Sequence, residues 1–275
     1  MRPGILLFPL LTPTLPPATH TNCYLVGNPE FVIIDPASPY EEEQVRLAEF
    51  IQELLAQGMR PREIILSHFH PDHVGGANAL RQQFQLPVAA SAQTKAKLDG
   101  RLPIDRIIKD GDLIALPGQP GWNLRALHTP GHTQDHLVFF EEQTGALISG
   151  DLIVGVGTVV IDPPEGNMAD YLQSLARVQQ LPVTAIFGSH GPPIGGAAAK
   201  IQEYISHRLQ RETAILNAIA AGAKEIPEIV RKVYFDVPEK MHKLAERSVL
   251  AHLEKLIAED RVQQVANGYT LTLQL

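Results

Sequence analysis

Apolar positions in the first two thirds of the chain fall into short runs separated by turn residues. Ile5–Leu11, Thr21–Val26 and Phe31–Ile34 read as β-strands, the last two divided by Gly27-Asn28-Pro29. Ser38-Pro39 then opens a predicted helix. Its apolar residues Val45, Leu47, Phe50, Ile51, Leu54 and Leu55 recur at helical spacing, and Gly58 ends it. Ile64–Leu66 is a short apolar strand whose exit, Ser67 to Gly76, is crowded with His and Asp. Ala77–Phe84 reads as helix and Pro87–Ala90 as extended. Leu113–Leu116 and Leu124–Leu127 are strands, and His136–Glu141 with Ala146–Ser149 forms a hairpin around Gln143-Thr144-Gly145. A helix from Asn167 to about Gln180 and a strand at Thr184–Phe187 complete the region. Strands alternating with helices fit an α/β fold of two sheets covered by helices.

The tail follows another pattern. Ala197–Ala221 contains no Gly or Pro, so one long helix is predicted. Ile226–Tyr234 and Pro238–Ala258 are two more, with Pro238 suited to a helix start. Arg261–Val265 and Tyr269–Leu273 make a hairpin whose Asn267-Gly268 signals a type I′ turn. Three helices and a hairpin are the order of a winged helix. The expected division is a domain over residues 1–205 and a winged-helix domain over 206–275.

Composition sharpens this picture at three points. Only Cys23 is present, which excludes an intramolecular disulfide and Cys-rich zinc sites. The net charge of −7 is uneven: residues 1–205 hold 13 basic and 21 acidic side chains, and residues 206–275 hold 10 and 9. An acidic first region argues against general phosphate binding. The apolar start is too short for a membrane span and lacks a signal-peptide pattern, so a cytoplasmic location away from membranes is expected.

Histidine is abundant, at eleven residues, and five of them follow predicted strands. His68, His70 and His73 share His68-Phe69-His70-Pro71-Asp72-His73. His132 lies in Thr129-Pro130-Gly131-His132, and His190 in Gly188-Ser189-His190. Asp151 follows a further strand. Imidazoles and carboxylates together suit zinc and related divalent ions. His68 and His70 can address one ion while Asp72 and His73 turn toward a second. Asp151, with two carboxylate oxygens, is the candidate bridge. Two ions would hold and acidify a bridging water as the attacking hydroxide, and Asp72 could accept its proton. Asp35, after Val32-Ile33-Ile34, either initiates a turn before Pro36 or supports the metal loop.

His-Phe-His-Pro-Asp-His, the later Gly131-His132-Thr133, Gly150-Asp151 and the strand-end His190 resemble the metallo-β-lactamase superfamily over residues 5–205. The resemblance implies an αββα sandwich. It also implies one metal on His68, His70 and His132, a second on Asp72, His73 and His190, and Asp151 between them. Residues 197–275, with Tyr204-Ile205-Ser206-His207-Arg208 and Arg211-Glu212, resemble the winged-helix extension of one branch of that superfamily.

The expected activity is therefore hydrolysis at a dinuclear zinc centre, with Asp72 and Asp151 as catalytic residues. The first expected substrate is a small ester, thioester or lactone. Single-stranded RNA, implied by the winged-helix branch, is the alternative. A third reading makes the tail a nucleic-acid or protein-binding module with secondary hydrolase activity. Basic and acidic residues interleave along Pro238–Ala258, which suits a cleft-rimming or homodimer contact better than a nucleic-acid reader.

Overall fold

A computed structural model describes residues 4–118 and 121–272 of the chain. It opens with β1 (Ile5–Leu11), β2 (His20–Val26), β3 (Glu30–Ile34), α1 (Glu41–Ala56) and β4 (Arg60–Ile65). Next come α2 (Pro71–Val74), α3 (Ala77–Phe84), β5 (Val88–Ala90), α4 (Ala92–Lys97) and β6 (Arg106–Ile107). Strands β7 (Leu113–Leu116), β8 (Trp122–His128), β9 (Leu137–Glu141) and β10 (Ala146–Gly150) precede α5 (Met168–Gln179). The remaining elements are β11 (Ala185–Gly188), β12 (Ile194–Gly195), α6 (Ala197–Ala220), α7 (Ile226–Val233), α8 (His242–Ala258), β13 (Val262–Val265) and β14 (Gly268–Leu271).

The described residues form two compact units. The first comprises residues up to Thr129, Asp135–Thr158 and Pro182–Ala197. It holds two six-stranded sheets, ordered β1-β2-β3-β4-β5-β6 and β12-β11-β10-β9-β8-β7. Alternation along the strands sorts the side chains into two cores. Tyr24, Val26, Val32 and Ile34 point between the sheets, onto Leu124, Phe139, Ile148 and Phe187. Their neighbours Cys23, Leu25, Phe31 and Ile33 point outward and meet Leu47, Ile51 and Leu54 of α1 and Leu80 of α3. Helix layer, sheet and sheet are thus built from the period-2 pattern of the first 150 residues.

Strands β3, β4 and β5 run parallel, and β10 runs parallel to β11. Parallel pairing brings the C-terminal ends of these strands to one edge of their sheet. The loops after β3, β4, β10 and β11 carry the chemistry-bearing residues, as rigid α/β scaffolds commonly arrange.

The second unit comprises Pro130–Gln134, Val159–Leu181 and the chain from Ala198 onward. Ile215 and Ile219 of α6, Ile229 and Val233 of α7, and Val249, Leu253 and Leu256 of α8 form its core with Val262 of the wing.

Several elements differ from expectation. Helix α1 begins at Glu41 rather than Ser38, because the Ser38 hydroxyl donates to Leu11 O and accepts from Tyr40 N–H. Helix α4 has no apolar stripe and is started by Ser91, whose hydroxyl accepts from Thr94 N–H. The His-rich loop contains the one-turn helix α2, with Pro71 at its first position. Pro238 precedes a short 3-10 turn, Glu239–Met241, and α8 itself begins at His242. The wing turn is Ala266-Asn267, not Asn267-Gly268: Gly268 pairs with Val265 and takes φ +114° against Lys224 O. Neither turn residue has the positive φ that type I′ needs. Leu273, part of the expected wing strand, lies outside the described residues.

Candidate metal centre

The site is built from loops that leave four strands. After β4, the backbone of Ser67 is captured by Asp35, which sits at the end of β3 with φ 52°. Asp35 Oδ1 accepts from Ser67 N–H at 2.8 Å. Asp35 Oδ2 lies 2.6 Å from the Ser67 hydroxyl and 2.9 Å from His73 Nδ1. Downstream, Gly75 and Gly76 press against the Pro36–Pro39 backbone, where a Cβ on Gly75 would meet Ala37 O at 2.7 Å. The His68–His73 loop is therefore clamped at both ends by the segment after β3.

These contacts fix tautomers. A carboxylate only accepts, so the Ser67 hydroxyl donates to Asp35. It must then accept from His68 Nδ1–H, 3.0 Å away, leaving the His68 Nε2 lone pair for a ligand. By the same logic His73 Nδ1 donates to Asp35, and its Nε2 carries the lone pair. That Nε2 is fully buried with no hydrogen-bond partner. Asp151 Oδ1 lies 3.6 Å from it, beyond hydrogen-bond reach.

His190 enters from the end of β11. Its Nδ1 donates to His20 O at 2.9 Å, which turns Nε2 inward. Nε2 lies 3.4 Å from Asp151 Oδ1 and 3.9 Å from Asp72 Oδ2. Ligand atoms of His68, His73 and Asp151 lie within 4.8 Å of one another, and so do those of Asp72, His73 and His190. His68 Nε2 and His70 Nδ1 are 3.0 Å apart. Two nitrogens on one tetrahedral zinc, each at about 2.0–2.1 Å, stand roughly 3.3 Å apart. A buried imidazole nitrogen without a partner, surrounded by imidazoles and carboxylates, fits a divalent cation.

His132 follows β8 and belongs to the second unit. Its Nδ1 donates to Val160 O at 2.8 Å, again reserving Nε2.

Burial alone would push the His73 and His190 imidazoles down, but Asp151 outweighs it, and both stand above the ordinary histidine value. Burial would likewise raise Asp151, yet His190 and His73 hold it well below the usual carboxylate range.

Supporting residues escaped sequence reasoning. Asn22 on β2 donates from Nδ2 to Gly188 O at 2.9 Å and Gly191 O at 2.8 Å. The Tyr24 hydroxyl donates to Gly188 O at 2.7 Å. Both fix the His190 loop. A polar Asn inside an apolar strand is the signal that could have found it. His136 accepts from Asp151 N–H at 2.9 Å through Nε2, so its Nδ1 donates to Thr129 Oγ1. Asp35, left open between two readings, holds the Ser67 backbone and hydroxyl and the His73 ring. Ser67 was not singled out at all.

Residues 16–190 match the model of the metallo-β-lactamase superfamily, and residues 226–269 match that of the β-lactamase associated winged helix domain. A β-lactamase-like protein 2 homolog from Caenorhabditis elegans is 30% identical over 252 residues, covering 88% of this chain and 80% of that protein. An atrochrysone carboxyl ACP thioesterase from Pseudocercospora fijiensis is 30% identical over 269 residues, covering 93% and 76%. The fold is shared with a β-lactamase domain protein from Burkholderia ambifaria, at TM-score 0.84 and 21% identity, over 98% of this chain and 92% of that one. The chain belongs to the metallo-β-lactamase superfamily of hydrolases and carries that superfamily's associated winged-helix domain at its C-terminal end.

Proposed function

We propose that this hydrolase works at a dinuclear zinc centre on a small acyl substrate: an ester, a thioester or a lactone. The observation that carries the reading is the convergence of His73 Nε2, His190 Nε2 and Asp151 Oδ1 in a buried site. His68, His70 and His132 would hold one ion, Asp72, His73 and His190 the other, with Asp151 between them. When bound, the ions supply Lewis acidity toward the substrate carbonyl and lower the pKa of an attacking water.

The chain's own groups do the rest. Asp35 holds His73 directly, and His68 through Ser67, in the tautomers that present Nε2 inward. Asp151, kept ionised by His190 and His73, would supply negative charge to bound ions. Asp72, at the mouth of α2, is half-buried and stands 3.9 Å from His190 Nε2. It is placed to take the proton of the attacking water and return it to the leaving group. Cys23 is no nucleophile: burial and the nearby Asp35 push its thiol well up, where it stays protonated.

Acyl substrates are favoured over RNA by the surplus of acidic side chains in residues 1–205. A relative similar along 93% of this chain is named as an acyl-carrier-protein thioesterase, which supports the same class. The Lys and Arg side chains of α8 all pair with carboxylates. Lys243 pairs with Glu246, Arg247 with Asp162, and Lys255 with Glu212 and Glu259. A duplex-reading role would need those cations for phosphates.

The test is a parallel assay of thioesters, esters and lactones against a 5′-labelled single-stranded RNA, with and without chelator. Chelator-sensitive acyl hydrolysis with intact RNA is expected. RNA cleavage with no acyl turnover overturns the substrate class, and turnover indifferent to chelator overturns the metal centre.

A further inference from the structure

Arg208, in the Ser206-His207-Arg208 motif of α6, has no part in the reading above. Its contacts lead to His132. Both residues belong to the second unit, and so does everything between them.

The His132 segment is first fastened to α5. Asn167 N–H donates to Gly131 O at 2.8 Å, and the Ser174 hydroxyl donates to Pro130 O at 2.7 Å. Gly131 takes φ +137° directly against Tyr171, where a Cβ would meet Tyr171 Cα at 2.3 Å. The backbone of the segment is thereby placed. The imidazole is oriented separately, by donation from Nδ1 to Val160 O.

Val159 and Val160 lie in neither helix nor strand. No ladder holds the carbonyl on which the His132 ring depends. Arg208 supplies a hold. Its Nη2 donates to Val159 O at 2.5 Å, one peptide before the carbonyl that receives the His132 proton. Its guanidinium also lies over the Tyr171 ring, with Cζ 5.3 Å from the centroid. Arg208 is 3% exposed and projects from a 24-residue helix. One planar, buried cation thus ties the two segments that set the position and the orientation of His132.

We propose that Arg208 is a positioning residue for His132. The inference rests on the reading of His132 as a metal ligand. Partners that orient a ligating imidazole typically carry about 10- to 100-fold in metal affinity.

Zinc affinities of the full-length protein, measured by chelator competition, test it. Arg208→Met keeps the aliphatic packing, and Arg208→Gln keeps polarity. Each should weaken one of the two ions by about 10- to 100-fold. It should be the ion lost in His132→Ala, with the other ion unaffected. Glu212→Gln breaks the pairs with Lys255 and Arg261 in the same unit and serves as the structural comparison. It should lower the melting temperature and leave both zinc affinities unchanged. Wild-type affinity for both ions in either Arg208 variant overturns the proposal. So does equal weakening of both ions, or the same selective loss in Glu212→Gln. If wild-type protein binds no zinc, or His132→Ala keeps both ions, it is the underlying assignment of His132 that fails.

Discussion

Asp35 Oδ2 lies 2.9 Å from His73 Nδ1 and reaches His68 through the Ser67 hydroxyl. One carboxylate at the end of β3 therefore dictates which nitrogen two different histidines present. Asp35→Asn replaces an obligatory acceptor with a group that can donate, so both rings lose their enforced tautomer. Zinc affinity should fall by about 10- to 100-fold, with both ions affected. Metal content after dialysis against a weak chelator checks this, and a fully loaded variant would contradict it.

Asp151→Ala removes the carboxylate that faces His73 and His190. Hydrolysis should drop by about 10³-fold or more, while the sheet sandwich persists. Steady-state rates read the first effect and circular dichroism the second. Full activity would show that Asp151 does not lie between the ions.

Metal uptake should release protons. Asp151 holds His73 and His190 above the ordinary histidine value, so near neutral pH part of the population must lose a proton before it can ligate. Apparent affinity should accordingly rise as pH climbs through and beyond the ordinary histidine range. Calorimetry in two buffers of different ionisation enthalpy counts the protons released; a pH-independent binding enthalpy and affinity would contradict the charge state described.

His252 gives the tail an acid-sensitive point. It is fully buried on α8, and neither ring nitrogen has a hydrogen-bond partner. Burial, then the cations Arg208, Lys255, His207 and Arg211, push its pKa down to about 3. The unfolded chain binds a proton at about pH 6.5, which the folded chain refuses until about pH 3. Stability is thus complete above pH 6.5 and is lost as pH falls through that window. The loss from this group alone is about 2 kcal/mol by pH 5. His252→Phe should flatten the dependence, as melting temperatures at about pH 7.5 and pH 5 would show.

The histidines and aspartates proposed as metal ligands were legible because they are local. Five histidines and two aspartates stand within a few residues of strand ends, and their spacing survives in a linear reading. The two sheets were legible for the same reason, through alternation. What stayed hidden is pairing across the chain. Asn22 meets Gly188 at a separation of 166 positions, and only the ordering of the two sheets brings them together. Helix α4 was missed because its start is a side-chain hydrogen bond and its face carries no apolar stripe. The wing turn was misplaced by one residue. Asn-Gly is a turn signal in general, but here the glycine is needed for contact with Lys224 O.

Cys23 points from β2 into the layer between the outer face of its sheet and α1, with no exposed surface. As the chain's lone sulfhydryl, it can neither scavenge zinc nor crosslink two molecules through a disulfide while the fold is intact. Loading and stripping of the metal can therefore be followed in air, free of the reductants that themselves bind zinc. Thiol-directed labels then become a readout of unfolding: the first molecule to react is one whose β2 has opened.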